Sequence, residues 1–576
     1  MFFKLGKYYR GYWAFVILCP LMMILEVFGD VLIPTLMEST IDDGVLTQNV
    51  DIVLQNGKYM IIVALLALAF GIASTYFGAK AGQGFGANLR HDLFTKIQEF
   101  SFASLDHFDV SSLITRLTSD VVFLSNLARM TLRMAIRAPF MFIMAIIMTI
   151  RINPRLSMIF LVALPILSLG IFLIMRKALP RFREFQKKID QINRRTQENL
   201  TAIRVVKAFG QEDYEVEKFD DTNNQLITAS LRAMNIVVLM MPLMMLVMFS
   251  VISSVLWFGG NLVITGDMTG GALFSFLMYV GQILTSVINI SVYVMNLSRA
   301  RASVERVLEV IETESEFTDK DYAGLAELET GHIKFENVNF RYPNTKHCSL
   351  RDINLEIEAG STTAIIGSTG SSKTTLIQLI ARLYEADSGE IYIGGQPISA
   401  YDPVALRDQV AVVLQENTLF SGTIRSNMQW GKSDATDHEI VEALKISQAA
   451  EFVLEREEGL SSRVERGGVN FSGGQKQRLS IARTLLKDPK IIIFDDSTSA
   501  VDMTTEAAIR EGLNSYKPDL TKIIIAQRIS SIEDADKIVV MDDGEISGVG
   551  THEELLATNT IYREIFDSQQ RGMMAG

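Results

Sequence analysis

The sequence is poor in cysteine, and it lacks both a sustained basic surface and a signal-peptide cleavage site. Its two cysteines, Cys19 and Cys348, fall in different halves of the 576 residues and cannot form a disulfide framework. The net charge of −12 and the lack of a basic face in the second half argue against a nucleic acid partner. Lys4, Lys7 and Arg10 precede an apolar stretch, but no small-residue cleavage site follows, so we expect a retained membrane span.

The chain is rich in apolar residues, and 48% of its residues are hydrophobic. Six apolar runs are long enough to cross a hydrocarbon core of about 30 Å. They lie at 13–37, 58–82, 130–150, 156–177, 234–259 and 271–297. The long connections after the second and fourth runs carry dense clusters of lysine and arginine, which predicts that these loops and both termini are cytoplasmic. We therefore expect a multi-pass protein of the plasma membrane.

Polar groups inside a predicted span are costly and therefore informative. Glu26 and Asp30 lie one helical turn apart on the first span, just before Pro34. They form either an acidic patch on a translocation path that attracts cationic solutes or a packed, internally paired polar site.

Flexible methionine in the fifth span suits either varied apolar substrates or contact with lipid. The methionines are Met234, Met240, Met241, Met244, Met245 and Met248.

A phosphate-binding motif lies in the second half of the chain. The stretch Thr363–Ile366 has the pattern of a buried strand and leads into a glycine-rich turn and an apolar helix. This order predicts a P-loop whose backbone N–H groups bind phosphates, with Lys373 at the β and γ phosphates and the Thr374 hydroxyl on Mg²⁺. The loop comprises Gly367, Ser368, Thr369, Gly370, Ser371, Ser372, Lys373, Thr374 and Thr375. Ser372 stands where the motif has glycine.

Two further segments add to a nucleotide site. The strand Ile491–Phe494 ends in Asp495, which is placed to hold Mg²⁺ through water. Between the P-loop and this strand, a short polar segment opens a helix, where backbone N–H groups can bind a phosphate. This segment reads Ser472, Gly473, Gly474 and Gln475. Taken alone, it is a modest signal, because such a sequence also marks ordinary turns.

Together and in this order, the motifs resemble those of the ATP-binding cassette (ABC) exporters over essentially the whole chain. The resemblance implies a multi-domain protein with the type IV exporter fold: an α-helical bundle of six transmembrane spans, followed by an α/β P-loop nucleotide-binding domain. We assign 1–311 to the transmembrane domain with two cytoplasmic coupling loops, 312–331 to a linker and 332–576 to the nucleotide-binding domain. ATP and Mg²⁺ are the implied cofactors.

The resemblance also implies roles for single positions. Ser472–Gln475 resembles the signature motif, and Tyr342 matches the aromatic residue that stacks on adenine. Gln415 matches the Q-loop residue that contacts Mg²⁺, and Ser499–Asp502 resembles the D-loop. Two cytoplasmic segments resemble the coupling helices that press on the nucleotide domains, at 108–120 and 203–214.

Three positions depart from the family pattern. Besides Ser372, Asp496 stands at the position of the catalytic glutamate and Gln527 at that of the switch histidine. The shorter side chain of Asp496 draws its carboxylate back by more than about 1 Å, and misplacement of that size can cost roughly 10²-fold in rate. Gln527 can hydrogen-bond a γ-phosphate but cannot carry a proton as histidine does.

All three departures fall among the residues on the P-loop side of an ATP site. The segment that resembles the signature motif, Ser472–Gln475, is intact. This partition resembles the degenerate-site subunit of heterodimeric bacterial multidrug exporters. It implies a second, non-identical half-transporter, membrane lipid around the spans and export of small hydrophobic or amphipathic, drug-like solutes driven by ATP. A homodimeric exporter of lipid or peptide and a membrane ATPase that acts as a sensor or regulator remain open as alternatives.

Overall fold

The computed structural model describes residues 2–313, 325–343, 345–496 and 501–574. The chain forms two compact units. The first comprises Met1–Phe94 and Ile114–Ile311, and the second comprises Thr95–Leu113 and Glu312–Gly576. Most of the predicted linker, 314–324, and two positions of the predicted D-loop, 499 and 500, lie outside the described residues.

Long helices make up the first unit. In chain order, the helices up to residue 312 are α1 (Trp13–Ser39), α2 (Val50–Gln98), α3 (Phe102–Asp106), α4 (Val110–Thr115), α5 (Val121–Ile152), α6 (Pro154–Ser157), α7 (Ile159–Thr201), α8 (Ile203–Phe209), α9 (Glu212–Val238), α10 (Met240–Ile264) and α11 (Gly270–Glu312). A 3-10 helix at Phe2–Tyr9 precedes α1, and π-helical turns lie between α1 and α2 at Thr40–Val45 and between α4 and α5 at Arg116–Asp120. Within the described residues, six helical segments are long and apolar enough to cross a membrane.

Hydrogen bonds from side chains of α11 to backbone carbonyl groups of α1 explain how α1 tolerates a proline in mid-helix. Pro34 has no N–H, so the carbonyl of Asp30 loses its helical partner. The side-chain amide of Gln282 on α11 donates to that carbonyl at 3.0 Å. The Tyr279 hydroxyl donates to the Val31 carbonyl at 2.7 Å in the same contact. In an apolar medium, such partners replace the water that a freed backbone group would otherwise bind, and here they join α1 to α11.

The second unit is an α/β domain. Its strands are β1 (Ile333–Phe340), β2 (Leu350–Ile357), β3 (Thr362–Gly367), β4 (Ser388–Ile393), β5 (Gln396–Pro397), β6 (Val410–Val413), β7 (Gly422–Thr423), β8 (Arg463–Val464), β9 (Ile491–Asp495), β10 (Thr521–Ile525), β11 (Lys537–Asp542) and β12 (Glu545–Gly550). Its helices are α12 (Lys373–Ile380), α13 (Pro403–Gln409), α14 (Ile424–Met428), α15 (Asp437–Ile446), α16 (Ala450–Leu454), α17 (Gly473–Leu485), α18 (Met503–Tyr516), α19 (His552–Thr558) and α20 (Thr560–Met574).

The main sheet of this domain has the strand order β12-β11-β3-β10-β9-β6 in the described part of the chain. Strands β11, β3, β10, β9 and β6 are parallel, and β12 is antiparallel to β11. Every residue of β9 and of β10 is buried, as expected for parallel strands covered on both faces. Because β3, β10 and β9 are neighbours, the three segments that follow their carboxyl ends lie side by side, which is where open α/β sheets bind ligands.

The short segment 95–113 joins the second unit through α3. Ala103 belongs to the same buried core cluster as β1 and β3, and the Phe102 ring contacts that of Tyr384 at 5.9 Å. The Tyr384 hydroxyl donates to the Asp106 carboxylate at 2.6 Å. These contacts lie in α3, and the second unit continues to Leu113, so it includes the start of the 108–120 segment expected from sequence. The coupling role of that segment stays a prediction. The predicted fold class, six apolar spans followed by an α/β domain, is confirmed.

Candidate functional site

The P-loop connects the end of β3 to the start of α12, as predicted. A Cβ atom on Gly367 would collide with the carbonyl oxygen of Met541 on β11, so only glycine allows this close approach. Gly370 has a φ of +89°, in the region that favours glycine. Ser372 also has a left-handed backbone, with φ +69° and ψ +24°. A serine therefore occupies a conformation that the motif normally gives to glycine.

Lys373 is held at the loop by backbone acceptors. Its ammonium group donates to the carbonyl oxygens of Gly367 at 3.0 Å and Ser368 at 2.8 Å. Burial lowers the pKa of Lys373, whereas the nearby carboxylates of Asp496 and Asp495 act in the opposite direction. The ammonium and the first N–H groups of α12 therefore lie together at the loop, as a phosphate site requires.

Thr374 and Asp495 form the candidate Mg²⁺ position. The Thr374 hydroxyl donates to the Asp495 carboxylate at 3.0 Å, which brings the start of α12 to the end of β9. Hydroxyl and carboxylate oxygens are the hard ligands that Mg²⁺ prefers, so this pair fits the ion. Burial raises the pKa of the Asp495 carboxyl, and the Thr374 hydrogen bond opposes that rise. Gln415 is exposed, two positions after the end of β6, the strand that pairs with β9.

Asp496 and Gln527 contact each other directly. Asp496 follows β9, Gln527 follows β10, and the Gln527 amide donates to the Asp496 carboxylate at 2.6 Å. Asp496 has a left-handed φ of +46° and is 9% exposed. Burial raises the pKa of its carboxyl, and the bond from Gln527 partly offsets this effect. Two of the three positions that depart from the predicted family pattern thus form one hydrogen-bonded pair.

Tyr342 is anchored to the helix that follows the P-loop. Its hydroxyl donates to Oε1 of Gln378 at 2.9 Å and contacts the Thr375 hydroxyl at 3.0 Å, both on α12. Its ring makes edge-to-face contacts with Phe340 and Tyr384, with centroids 5.0 and 5.2 Å away. Burial raises the pKa of this tyrosine. The stacking of adenine on Tyr342 stays a prediction.

A second candidate site is a cavity of about 870 Å³ among α1, α5 and α11 of the first unit. Glu26 and Asp30 both line it. Nη2 of Arg137 on α5 lies 3.4 Å from Oε1 of Glu26 and 2.9 Å from Oδ2 of Asp30. The two carboxylates are therefore ion-paired within the protein and also face the cavity.

The sequence analysis missed three arginines of this cavity: Arg129, Arg133 and Arg137. They recur every four residues on α5, which places them on one face of the helix. Charged residues inside an apolar span are expensive, and this signal was available for Arg133 and Arg137 in the predicted third span. In the described part of the chain, none of the fifth-span methionines lines the cavity; Met240, Met244 and Met248 pack against the core of the first unit.

Known families and relatives match nearly the whole chain. A family model described as ABC transporter transmembrane region matches residues 16–287, and another described as ABC transporter matches residues 350–499. The ABC transporter ATP-binding protein YfiB of Bacillus subtilis (strain 168) is 38% identical over 549 residues, which are 95% of each chain. The chain belongs to the ABC transporter family.

Further matches of this ABC transporter include a second curated relative and a solved exporter structure. YgaD of Bacillus subtilis (strain 168), provisionally named as a multidrug export ATP-binding/permease protein, is 33% identical over 84% of the chain and 83% of its own length. The structure of a bacterial Atm1-family ABC exporter with ATP bound has a TM-score of 0.83, with 23% identity. The match covers 96% of this chain and 98% of that one. The predicted exporter fold is thereby confirmed, and the family implies ATP binding, typically with Mg²⁺.

Ser472–Gln475, the segment predicted to be the signature motif of this ABC transporter, forms the exposed start of α17. The Ser472 hydroxyl accepts from the Gln475 N–H at 3.3 Å, and the Gln475 side chain accepts from the Ser472 N–H at 3.1 Å. This reciprocal capping box fixes the first turn of the helix. Among the described residues, no hydrogen bond joins Ser472–Gln475 to the P-loop. The capping box uses the N–H groups of Ser472 and Gln475 and leaves those of Gly473 and Gly474 to a second subunit, since ABC exporters work as dimers.

Proposed function

We propose that this ABC exporter is the degenerate-site subunit of a heterodimer. Its own P-loop site binds ATP and turns it over slowly, while its signature segment, Ser472–Gln475, completes the competent site of a non-identical partner. The observation that carries the proposal is the 2.6 Å hydrogen bond from Gln527 to Asp496.

That contact bears on hydrolysis in two ways. Asp496 is one methylene shorter than glutamate, and it already accepts a hydrogen bond on Oδ2, which leaves less of the carboxylate to orient a water molecule. Gln527 donates as a histidine would but has no titratable proton near neutral pH. The capping box at Ser472, in contrast, keeps the start of α17 ordered and exposed.

The proposed cargo is a small hydrophobic or amphipathic, drug-like solute. The supporting feature is the cavity wall, which includes flexible, polarizable methionines that adapt to varied apolar shapes. These are Met23, Met130, Met134, Met141 and Met278. The provisional name of YgaD points the same way. In this proposal the exporter lies in the plasma membrane, with both termini and the nucleotide-binding domain in the cytoplasm.

The test is to purify the tagged chain alone and with the partner that accompanies it from native membranes. We expect the complex to hydrolyse ATP at least tenfold faster than the chain alone. In the complex, Asp496→Asn should change the rate less than twofold, because the partner supplies the competent glutamate, whereas Gly473→Asp should abolish it. Robust ATPase activity of the chain alone that Asp496→Asn abolishes would overturn the asymmetry. ATP-dependent solute flux in vesicles separates a pump from a sensor, which would show no flux.

A further inference from the structure

The cavity of the first unit has a positively charged wall. Arg129, Arg133 and Arg137 line it from one face of α5, and successive members are about 6 Å apart along the helix axis, given a rise of about 1.5 Å per residue. Two negatively charged side chains, Glu26 and Asp30, also line the cavity. Three guanidinium groups against two carboxylates leave an excess of positive charge.

In the described part of the chain, two of the three arginines, Arg129 and Arg133, have no ion-pair partner. Arg137 makes ion pairs with both Glu26 and Asp30. Among the residues that the structure describes, no carboxylate lies within ion-pairing distance of Arg129 or Arg133. The guanidinium of Arg129 donates to Oδ1 of Asn126 at 3.4 Å, a long contact with a neutral group. Arg133 lies in the predicted third span and interacts with Glu26 electrostatically but forms no ion pair with it. A charge in such a position is costly, and such groups mark solute pathways.

Several buried polar atoms of the same cavity have no hydrogen-bond partner in the part of the chain that the structure describes. Among the described residues that line the cavity, four buried polar atoms have no hydrogen-bond partner: Nε of Arg133, Nε of Arg137, Oε2 of Glu26 and Oε1 of Gln282. Buried polar atoms in native proteins are usually paired. The Nε atom of Arg133 is a donor, so an anionic group in the cavity would supply its missing acceptor through a charge-assisted bond.

Close helix packing holds the stems of these arginines in place. A Cβ atom on Gly78 of α2 would lie 3.3 Å from Cδ of Arg133, and one on Gly82 would lie 3.0 Å from Cβ of Arg129. The two glycines thus let α2 approach α5 at the positions of the arginines. Guanidinium groups with packed stems lose less freedom when they bind a ligand than freely rotating ones.

We infer that the cavity selects amphipathic organic anions, in which a carboxylate, sulfonate or phosphate group contacts Arg129 and Arg133 and an apolar body contacts the methionines. This inference rests on the proposed function, since it names the class of solute that the exporter carries. Both carboxylates are paired with Arg137, and the whole lining carries three guanidinium groups against two carboxylates, so the cavity as a whole disfavours a cation. The chain therefore favours the anionic members of the broader hydrophobic or amphipathic class.

Carboxyfluorescein and rhodamine 123 test the charge preference, because they share a xanthene body and differ in charge. Their dissociation constants would be measured by fluorescence anisotropy with the full chain and its co-purified partner in lipid nanodiscs. We expect the wild-type complex to bind carboxyfluorescein at least tenfold more tightly. Arg133→Gln should weaken this binding about tenfold, and the double variant Arg129→Gln, Arg133→Gln should bind rhodamine 123 more tightly than the wild type does.

Arg151→Gln is the matched control, since Arg151 lies on the same helix, is exposed and is absent from the cavity lining. The gain in rhodamine 123 binding distinguishes a change of charge from misfolding, which would weaken the binding of both dyes. Tighter binding of rhodamine 123 by the wild type, or an equal loss in Arg151→Gln, would overturn the inference and leave export untouched. Retained anion binding without ATP-dependent uptake of any solute would instead contradict the proposed function.

A soluble anion and an anionic lipid head group share the chemistry that the arginines recognise. Proteoliposomes distinguish the two sources. ATP-dependent uptake of carboxyfluorescein that Arg133→Gln lowers identifies a soluble organic anion, and ATP-dependent transfer of labelled phosphatidylglycerol between leaflets identifies the lipid. Either result supports the inference, and ATP-dependent transport of rhodamine 123 alone contradicts it.

Discussion

Ser372 is the residue whose backbone conflicts most directly with its position. Its left-handed φ of +69° costs an ordinary side chain about 1 kcal/mol, which glycine avoids. Ser372→Gly should therefore stabilise the nucleotide-binding domain by about 1 kcal/mol and raise its Tm by about 3 °C. Calorimetry on the full chain would measure this as a change in the transition that shifts on addition of Mg-ATP.

Ser371→Gly is the matched control for this prediction. Ser371 is buried, and its hydroxyl accepts from the Lys373 ammonium at 3.3 Å. Removal of that side chain should lower the same Tm. Stabilisation by both substitutions, or by neither, would show that the backbone of Ser372 is not strained.

The pair Asp496 and Gln527 offers a second prediction at this scale. Asp496→Glu extends the carboxylate by over 1 Å, and Gln527→His restores a group that can exchange a proton. Because the two side chains contact each other, their effects should not be additive. We expect the double variant, purified alone, to hydrolyse ATP at least tenfold faster than the wild-type chain and faster than either single variant. Steady-state ATPase rates at saturating Mg-ATP check this, and equal rates in all four proteins would contradict it.

At the scale of helices, a polar cluster ties the start of α5 to the end of α11. Asp120 is 4% exposed and accepts from the Ser303 hydroxyl at 2.8 Å and from Nε and Nη2 of Arg306 at 2.8 and 2.5 Å. Nη1 of Arg116 donates to the Arg306 carbonyl at 2.8 Å, and its Nη2 lies 2.8 Å from Glu309. Because the Arg306 side chain is 44% exposed, solvent screening weakens its ion pair with Asp120.

Asp120→Ala should destabilise the first unit by about 2 kcal/mol, since it leaves several donors without their buried acceptor. The midpoint of thermal aggregation of the detergent-purified chain would fall accordingly. Glu305→Ala, which breaks the exposed pair between Arg301 and Glu305 on the same helix, is the control and should change the midpoint very little. A similar shift of the midpoint for both variants would mean that the buried hydrogen bonds of Asp120 add no more stability than an exposed ion pair.

The helices also show what local sequence can and cannot predict. Apolar runs located all six spans, but α2 extends over 49 residues because its polar end keeps helical hydrogen bonds beyond the apolar run. The P-loop was predictable because its residues are contiguous. The contacts of Arg137 with Glu26 and Asp30 join α5 to α1 across more than a hundred residues, so no local pattern reveals them. The bond between Gln527 and Asp496 likewise depends on β9 and β10 being neighbours.

For the whole molecule, the decisive property of the proposed heterodimer is that its two ATP sites work at different rates. The site built on Lys373 and Thr374 should keep its nucleotide through many turnovers of the other site. After rapid removal of free nucleotide, we expect one ATP to remain bound per complex, with the product already lost from the partner's site. Radiolabelled ATP, followed by chromatography of the retained nucleotide, measures both the stoichiometry and the chemical form.

Lys373→Ala tests which site retains that ATP, because it removes the ammonium that lies at the P-loop of this chain alone. The variant complex should retain no ATP, whereas Lys445→Ala, a change at an exposed lysine on α15, should leave the stoichiometry unchanged. Retention of two nucleotides, or of ADP in place of ATP, would indicate two equivalent sites and favour a homodimer-like cycle. Retention that survives Lys373→Ala would place the slow site on the partner and reverse the assignment.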